Sequence, residues 1–454
     1  REDAMSTERR RSLWRHADFM KLWTGETISQ IGTQITFLAL PLTAILILKA
    51  TPFQVGLLGT LEFLPFILVG LPAGVWVDRL RRRRILIAGD LGRVIALGSI
   101  PIAYELGMLH IAQLYLVAFV TGIFTVFFDV AYQSDLPSLV DRDQIVEGNA
   151  KLEISRSGAQ LAGPGLAGAL IQALTAPVAI LADAISYLGS AVFVFLIRKK
   201  EAPVERHGPD GAKPRMRSEI WEGLRYVLGN KLLRPIAACT ATSNLFSQVA
   251  GAVVLIFAVR RLGMSPGTIG LAFALGNIGF LLAAFIAPRV AQRLGIGRTI
   301  VGSAVLFGFT WIPAALMTKE TAFLSLLAGM FIGGFGGTIY NINQVSLRQS
   351  ITADRMQGRM NATMRFMVWG TIPIGYFLGG VLGESIGLRP TLWVAAIGSL
   401  LAFIPPLLSP VRTLERIPEM PPEEPTMAES IAPGDGLVEP GGIPHAIAET
   451  RSRE

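Results

Sequence analysis

The sequence predicts an all-α polytopic membrane protein with twelve transmembrane helices in two pseudo-symmetric bundles of six. Hydrophobic residues make up 51 % of its 454 residues and charged residues only 16 %, whereas a soluble chain carries about 25 % charge. Twelve apolar segments are long enough to cross a bilayer, which takes about 20 residues each. A basic, polar stretch separates the first six segments from the last six. These observations predict two membrane-embedded halves joined by a hydrophilic loop.

The order of the segments predicts five regions. These are a cytoplasmic N-terminal tail (1–18), a first six-helix bundle (19–197), a central cytoplasmic loop (198–234), a second six-helix bundle (235–409) and a disordered cytoplasmic tail (410–454). The spans are predicted at 19–48, 53–77, 85–106, 111–131, 157–175, 177–197, 235–259, 266–290, 299–318, 321–345, 363–384 and 389–409. The final tail is rich in Pro, Glu and Gly, which is typical of disorder.

Two further patterns support this organisation. In the central loop, residues 219–228 place apolar side chains at mostly helical spacing beside basic neighbours, which predicts a short amphipathic helix on the inner leaflet. Asp141-Arg142 and then Asn149-Ala150 follow the fourth span, and Asp354-Arg355 and then Asn361-Ala362 follow the tenth. This repeat favours two homologous halves with a substrate site between them near mid-membrane.

The basic residues predict the orientation of the spans, because short loops rich in Lys and Arg lie on the cytoplasmic side. With the N-terminus inside, the outer loops of the first half hold only Lys49. The inner loops hold Arg79, Arg81, Arg82, Arg83, Arg84, Arg142, Lys151 and Arg156 in the first half, and Arg289, Arg293, Arg298, Arg348, Arg355 and Arg359 in the second. Both termini are therefore predicted to be cytoplasmic, in a multi-pass protein of the cell membrane. The formal net charge of +8 then indicates topology rather than nucleic-acid binding.

The composition argues against several classes of function. One cysteine, Cys239, excludes a disulfide framework and a cysteine-based metal cluster. The four histidines lie at segment ends or in polar stretches, so we expect no metal site, and no cofactor is predicted. The sequence has no nucleotide-binding loop, no His-Glu pair at metal spacing and no serine elbow, so it does not predict an enzyme.

Acidic residues within apolar spans are costly and are candidates for function. Glu62 lies near the middle of the second span without a basic neighbour in sequence, and such surroundings favour uptake of a proton. Glu26 and Asp129 lie nearer the inner face, where ion pairing with the arginines is the alternative role. We predict Glu62, Glu26 and Asp129 as candidates for proton coupling. Asp90 and Arg93 are three residues apart and can pair on one helix face.

The strongest local motif joins the second and third spans. Residues 70–84 read Gly-Leu-Pro-Ala-Gly-Val-Trp-Val-Asp-Arg-Leu-Arg-Arg-Arg-Arg. The motif resembles the signature loop of the major facilitator superfamily, in which a glycine is followed after three residues by Asp-Arg and then by further basic residues. Arg81 stands where many members have glycine. The matching residues are Gly74, Asp78, Arg79, Arg82 and Arg83.

The resemblance implies that this loop is a gating latch. Gly74 would let another helix approach closely, and Asp78 would face the positive N-terminus of the helix that forms the eleventh span. The arginines could pair with Asp129 or Asp135 at the inner end of the fourth span. A plain positive-inside cluster is the alternative, since five arginines set the orientation without any gating.

The fifth span carries a second motif, Gly163-Pro164-Gly165 followed by Gly168. Proline bends a helix, and the glycines make a flat face for close packing. The motif resembles the Gly-Pro motif in the same helix of the superfamily's exporters, which implies export; generic packing is the alternative. Together with residues 129–137, it resembles the branch of macrolide, multidrug and enterobactin-type exporters. The arginine that many drug antiporters carry in the fourth span is missing.

The resemblance also implies which spans line the substrate cavity. Spans seven and ten face the cavity in the superfamily, and hydrogen bonding between helices is the alternative role for their polar residues. Asp183 lies on a span that the superfamily places at the periphery, so it is predicted to serve helix packing. The predicted cavity residues are Asn244, Gln248, Asn341 and Gln344.

The sequence therefore predicts a secondary active transporter that exports small amphipathic compounds, drugs or siderophores, in exchange for protons by alternating access. Its partners would be the substrate, protons and the lipid bilayer, and it would act as a monomer without nucleic acid. A lipid or lysolipid transporter and a non-transporting scaffold or sensor are the alternatives. The charged latch argues against a scaffold, because a static protein has little use for a breakable contact between repeats.

Overall fold

The structure is a computed structural model, and it describes residues 13–77, 80–141, 144–199, 216–416 and 418. Among these residues, ten helices are long and apolar enough to cross a membrane, so the protein is an all-helical membrane protein. The α-helices are α1 (Ala17–Leu42), α2 (Pro52–Leu68), α3 (Gly70–Val77), α4 (Arg82–Glu105), α5 (Ile111–Leu139), α6 (Ile145–Ala173), α7 (Ala176–Phe195), α8 (Met216–Gly229), α9 (Leu233–Ile256), α10 (Pro266–Gly276), α11 (Ile278–Leu294), α12 (Ile296–Gly308), α13 (Ile312–Leu316), α14 (Ala322–Ser350), α15 (Asp354–Ser385), α16 (Leu388–Leu401) and α17 (Ile404–Leu407).

Two of the twelve predicted spans do not reach that length and apolarity. The second is divided into α2, of 17 residues, and α3. Pro72 explains the break, because it has no N–H for the carbonyl of Leu68, the last residue of α2, and its ring clashes with that carbonyl. The fifth is α6, whose apolar part is interrupted by glycines and by Gln160 and Gln172. The number twelve therefore stays a prediction.

The packing of the first half, residues 17–195, recurs in the second half, residues 233–401. α1 packs on α6 and α7 as α9 packs on α15 and α16, and α4 packs on α5 and α7 as α12 packs on α14 and α16. α1 and α9 also end alike, since each continues into a five-residue π-helical turn, Thr43–Ile47 and Phe257–Arg261. Such turns are rare and are frequent at functional sites. The helix packing thus shows the repeat that the paired Asp-Arg motifs indicate in the sequence.

The two halves meet mainly through α2 against α15 and through α6 against α10. These two pairs are equivalent under the repeat. We call the end of the bundle where α2 and α10 begin, and where α6 and α15 end, the closed end. The contacting residues of α6 and α15 lie in the half of each helix nearest this end (160–172 and 369–384). There, too, the Arg260 guanidinium donates a hydrogen bond to the Ile45 carbonyl oxygen across the halves (3.1 Å).

The central segment contains α8 where the sequence predicts an amphipathic helix. It packs on the N-terminal part of α15, where Gly223 lies against Thr363 and Glu222 forms an ion pair with Arg359 (2.9 Å). Trp221 is exposed on the other side of the helix. Its place on the inner leaflet stays a prediction.

The end of the second half differs from the sequence prediction. The sequence predicts a disordered tail from residue 410, but Pro410–Thr413 forms a 3-10 helix against the start of α12. The Leu414 carbonyl accepts a hydrogen bond from the Gly297 N–H (2.8 Å), one of the N-terminal donors that a helix cannot satisfy itself. Val411 is fully buried. The predicted boundary at 410 is therefore wrong and moves past residue 416, while residues 419–454 lie outside the described part of the chain.

Cutting the chain after Ser409 is expected to lower the thermal stability of the purified protein, whereas cutting it after Pro418 is not. The shorter product loses buried Val411 and the acceptor for Gly297, together worth about 2–3 kcal/mol. Thermal unfolding in detergent measures the difference. Equal stability of the two truncated proteins would contradict a structural role for this segment. A scaffold acting through its tail would also lose function when cut after Pro418, whereas a transporter is expected to keep it.

Candidate functional site

A cavity of about 850 Å3 lies between the two halves. The first half contributes residues of α1, α2 and α6 to its wall, and the second half contributes residues of α9, α10, α11, α12, α14 and α15 and of the turn Phe309–Trp311. An apolar wall with a few polar groups is typical of sites that bind small molecules. The aromatic residues of the wall are Phe37, Phe273, Phe280, Phe307, Trp311 and Tyr376. Its polar residues near the middle include Glu62, Gln160, Ser247, Gln248, Asn277 and Asn341.

Two pairs of glycines bring the halves together at the closed end. A Cβ added at Gly56 of α2 would lie 2.5 Å from the Gly380 Cα of α15, and one added at Gly168 of α6 would lie 2.8 Å from the Gly270 Cα of α10. Only glycine allows two helix backbones to approach so closely. From these contacts the cavity extends along α6 as far as Glu153, about two turns from the start of that helix.

Glu62 places a carboxyl group in the middle of the cavity wall. It is half-buried and faces Tyr376 of α15, whose ring stacks on Phe63 with 5.8 Å between centroids. The Tyr376 hydroxyl and the Gln248 side chain both lie next to Gly251. Within the described part of the chain, Glu62 has no ion-pair partner. A carboxylate without a cation in an apolar wall is costly, so this site favours a proton or a positively charged group of a ligand.

A separate polar network lies inside the first half, around Arg93. The Arg93 guanidinium forms a buried ion pair with Asp90 (2.6 Å) and lies over the rings of Phe128 and Tyr187, at 4.3 and 4.0 Å from their centroids. Asp183 is buried nearby on α7, where it accepts a hydrogen bond from Ser186 (3.0 Å). This arrangement satisfies Arg93 within the bundle and joins α4, α5 and α7.

Glu26 and Asp129 belong to the surroundings of this network rather than to the cavity wall. Glu26 is buried in α1 and accepts a hydrogen bond from Gln30 (2.6 Å). Asp129 is half-buried in α5 and faces Arg156 of α6 and Arg365 of α15. The structure therefore brings Glu26 and Asp129 near Arg93 and leaves Glu62 apart from them. Their roles in proton coupling stay predictions.

The latch motif is described only in part. Gly74 lies in α3, and Arg82 and Arg83 begin α4. Arg83 contacts the end of α7, where it donates a hydrogen bond to the Phe195 carbonyl and lies over the Phe195 ring, 5.9 Å from its centroid. The latch therefore stays a prediction. Outside the described part of the chain lie Asp78, Arg79 and the side chain of Asp135.

The Gly-Pro motif of α6 lies where the halves meet. Gly163 lies against the Gln34 side chain of α1, and Gly168 faces Gly270 of α10. The Pro164 carbonyl also lies against Gly270. The small residues of this helix therefore serve a contact between the halves and a contact within the first half at the same time.

The four predicted cavity residues have two kinds of surroundings. Gln248 and Asn341 line the cavity. Asn244 donates a hydrogen bond to the Val368 carbonyl (3.4 Å), and Gln344 donates one to the Asn341 side chain (2.9 Å). The hydrogen bond of Asn244 joins α9 and α15, which is the alternative role expected for these residues, whereas that of Gln344 lies within α14.

Gln160 and Tyr376 are among the polar residues of the cavity wall that sequence reasoning missed. Gln160 lies one turn before Pro164, on the face of α6 that carries the Gly-Pro motif. This spacing could have predicted that Gln160 faces the second half. Tyr376 lies beside Gly375 on α15, whose glycines pack against α9. Its direction into the cavity depends on α2, with which α15 packs, so no local signal could have located it.

Comparison with known proteins shows what this chain is similar to. Macrolide efflux protein A of Streptococcus pyogenes is 23 % identical over 409 residues, which cover 87 % of this chain and 97 % of that protein. The uncharacterised MFS-type transporter YfiS of Bacillus subtilis is 26 % identical over 380 residues, which cover 81 % of this chain and 87 % of that one.

The fold is also found among solved structures. An inward-facing bacterial homologue of the iron transporter ferroportin superposes with a TM-score of 0.69 at 17 % identity, covering 86 % of this chain and 98 % of that one. Residues 12–452 match the family described as transmembrane secretion effector, which consists of transporters rather than enzymes. The resemblance indicated by the sequence motifs is therefore confirmed: the chain belongs to the transmembrane secretion effector family of the major facilitator superfamily.

Proposed function

We propose that this protein exports small amphipathic compounds, of the drug or siderophore class, across the cell membrane in exchange for protons. The observation that carries the proposal is the position of Glu62, a carboxyl group in the wall of a cavity between two repeated halves, with no ion-pair partner among the residues that the structure describes. The proposal includes twelve membrane-spanning segments, six in each half. Ten of them are the long apolar helices of the structure; α2 and α3 together form the eleventh, and α6 forms the twelfth. The protein works as a monomer, because the cavity is built from one chain.

The conformation suits the loading step of such a cycle. The positive-inside distribution of basic loops supports cytoplasmic termini, and with this orientation the closed end faces outwards. The cavity then extends from the closed end toward the cytoplasm, where Glu153 and Arg156 lie in its wall. A compound entering from the cytoplasm would pass Glu153 and Arg156 before it reaches Glu62.

Glu62 supports an exchange of substrate for proton. A proton and a ligand that both interact with one carboxyl group compete, so that binding of one favours release of the other. Alternating access requires that Glu62 is open to the cytoplasm in one state and to the outside of the cell in the other. The two glycine contacts supply a boundary that can part, since small-residue contacts hold helices by packing without interlocking side chains. The efflux activity named for the macrolide efflux protein of Streptococcus pyogenes supports the outward direction.

Dye efflux in a host that lacks its own efflux pumps tests this proposal. The wild type is expected to lower the accumulation of at least one compound in a panel of amphipathic dyes, and a proton ionophore is expected to abolish this effect. Glu62→Gln is expected to reduce efflux at least tenfold, because glutamine keeps the size of the side chain and cannot exchange a proton. Glu26→Gln is expected to have a smaller effect.

The matched control is Glu105→Gln, because Glu105 is an exposed glutamate at the end of α4. Full efflux by both Glu62→Gln and Glu26→Gln would remove these residues from the mechanism. Movement of lysolipid without any movement of dye would favour the lipid transporter instead.

A further inference from the structure

The closed end carries hydrogen bonds in which one half completes a helix of the other half. α2 begins at Pro52, after the capping residue Thr51. The first N–H groups of a helix have no partner within it. The Phe53 N–H donates a hydrogen bond to the Glu384 carboxylate oxygen Oε2 of α15 (3.2 Å). A side chain of the second half therefore caps a helix of the first half.

The equivalent contact is present at the other interface. α10 begins at Pro266, after the capping residue Ser265. The Gly267 N–H donates a hydrogen bond to the Gln172 side-chain oxygen Oε1 of α6 (3.0 Å), and the Ser265 hydroxyl donates one to the same oxygen (3.0 Å). Here a side chain of the first half caps a helix of the second half.

The two contacts share one sequence pattern. Residues 51–56 read Thr-Pro-Phe-Gln-Val-Gly and residues 265–270 read Ser-Pro-Gly-Thr-Ile-Gly. On the opposite helix, the capping side chain lies four residues after a glycine: Gly380 precedes Glu384, and Gly168 precedes Gln172. In each case the last residue of the pattern and the glycine of the opposite helix form one of the close contacts described above. Each unit therefore consists of a capping hydrogen bond followed, one turn further, by a glycine–glycine contact.

We propose that these two units, which we call the outer clamps, are the outer gate of the transporter, and that Glu384 and Gln172 are its positioning residues. The proposal rests on the proposed alternating access, because the clamps join the halves only while the closed end is shut. Opening the outer side breaks the three hydrogen bonds and leaves the N-termini of α2 and α10 without these partners. The clamps therefore favour the inward-facing state and set how often the outer side opens.

The clamps are not identical, and the difference makes them testable. Glu384 brings a negative charge to the positive end of α2, whereas Gln172 brings a neutral amide to α10. Removing either side chain is expected to raise the population of the outward-open state by roughly two- to tenfold, the range for one net hydrogen bond. The effects are expected to multiply in the double variant, because the two clamps lie on different helix pairs.

Cysteine labelling from outside the cell measures that population directly. Cys239 is buried and is replaced by alanine, and Ser247→Cys in the cavity wall serves as the reporter. A membrane-impermeant maleimide, added outside, reaches this position only when the closed end opens. Faster labelling is expected for Glu384→Ala and for Gln172→Ala, and the fastest for the double variant. Glu384→Gln puts the amide of the other clamp at this position and keeps a hydrogen-bond acceptor. Its rate of labelling is therefore expected to lie close to that of the wild type and well below that of Glu384→Ala.

Glu105→Ala is the control, because it removes an exposed carboxylate at the same end of the bundle. Unchanged labelling in the double alanine variant would overturn the proposal, and so would equal acceleration by Glu105→Ala or by Glu384→Gln. Size-exclusion profiles and melting temperatures show whether each variant is folded. The labelling needs no substrate, so a protein that moves no compound but labels as expected would contradict the proposed function and leave the clamps in place.

Discussion

Gly168→Val is expected to reduce transport at least tenfold while leaving the protein folded. A Cβ at this position would lie 2.6 Å from the Pro266 carbonyl oxygen and 2.8 Å from the Gly270 Cα, closer than real contacts allow, and valine adds two further carbons. Both neighbours are backbone atoms of α10, so no side-chain rotation relieves the overlap. The two halves would have to stand apart at the closed end, and the inward-facing state would be destabilised relative to the outward-facing state.

Gly158→Val is the matched control. It places the same substitution on the same helix, at a glycine whose added Cβ meets no atom within 4 Å. Efflux and melting temperature, measured side by side for the two variants, separate a loss of closure from the change in helix propensity, which is the same at both positions. Normal transport by Gly168→Val would contradict the close contact of α6 and α10. Gly56→Val, at the equivalent contact, is expected to behave like Gly168→Val.

The second large effect concerns stability. Arg93→Met is expected to destabilise the protein by about 3–5 kcal/mol, the range for removing one partner of a buried ion pair. Asp90 would keep a fully buried carboxyl group without its cation, and two cation–π contacts, with Phe128 and Tyr187, would be lost. The melting temperature and the yield of monodisperse protein in detergent are the measurements.

Arg84→Met is the control for the loss of a positive charge, because Arg84 is exposed on the same helix. A double variant, Asp90→Asn with Arg93→Met, is expected to recover part of the stability, since it no longer buries an unpaired charge at this position. A melting temperature for Arg93→Met equal to that of Arg84→Met would show that the network around Arg93 contributes little to folding.

The helices and their order follow from local features of the sequence. An apolar run and its flanking basic residues act within one segment, so ten of the twelve predicted spans coincide with helices that are long and apolar enough to cross a membrane. The break at Pro72 also has a local cause, although it was not predicted. The predicted start of the tail at residue 410 was wrong because the cause is not local. The composition around Val411 indicates disorder, but the segment folds because it packs against α12.

The candidate site was predictable only where its signal was local. Glu62 stands out because its neighbours in sequence are apolar, and the structure places it in the cavity wall. Its neighbour Tyr376 comes from the other half, and nothing near Tyr376 in sequence indicates the direction of its ring. Asn244 and Gln344 show the same limit, because the side of α9 or α14 that faces the cavity depends on the packing of several helices.

The outer clamps illustrate a signal that is present in the sequence but has no meaning before the halves are assembled. The Thr-Pro and Ser-Pro patterns at residues 51–56 and 265–270 read as two ordinary helix starts. Only the structure shows that Glu384 and Gln172 reach them from the opposite half. The two contacts are equivalent in the repeat, but they differ in charge, since Glu384 is acidic and Gln172 is neutral.

Uphill transport by the purified protein in liposomes tests the proposed proton-coupled export most directly. The liposomes are acidic inside, and the probes are fluorescent amphipathic dyes without a titratable amine, so that the pH gradient alone cannot trap them. The wild type is expected to concentrate at least one dye inside, a proton ionophore is expected to abolish this accumulation, and Glu62→Gln is expected to lower it at least tenfold. Accumulation that equals that of protein-free liposomes for every dye, or that persists with the ionophore, would contradict proton-coupled export.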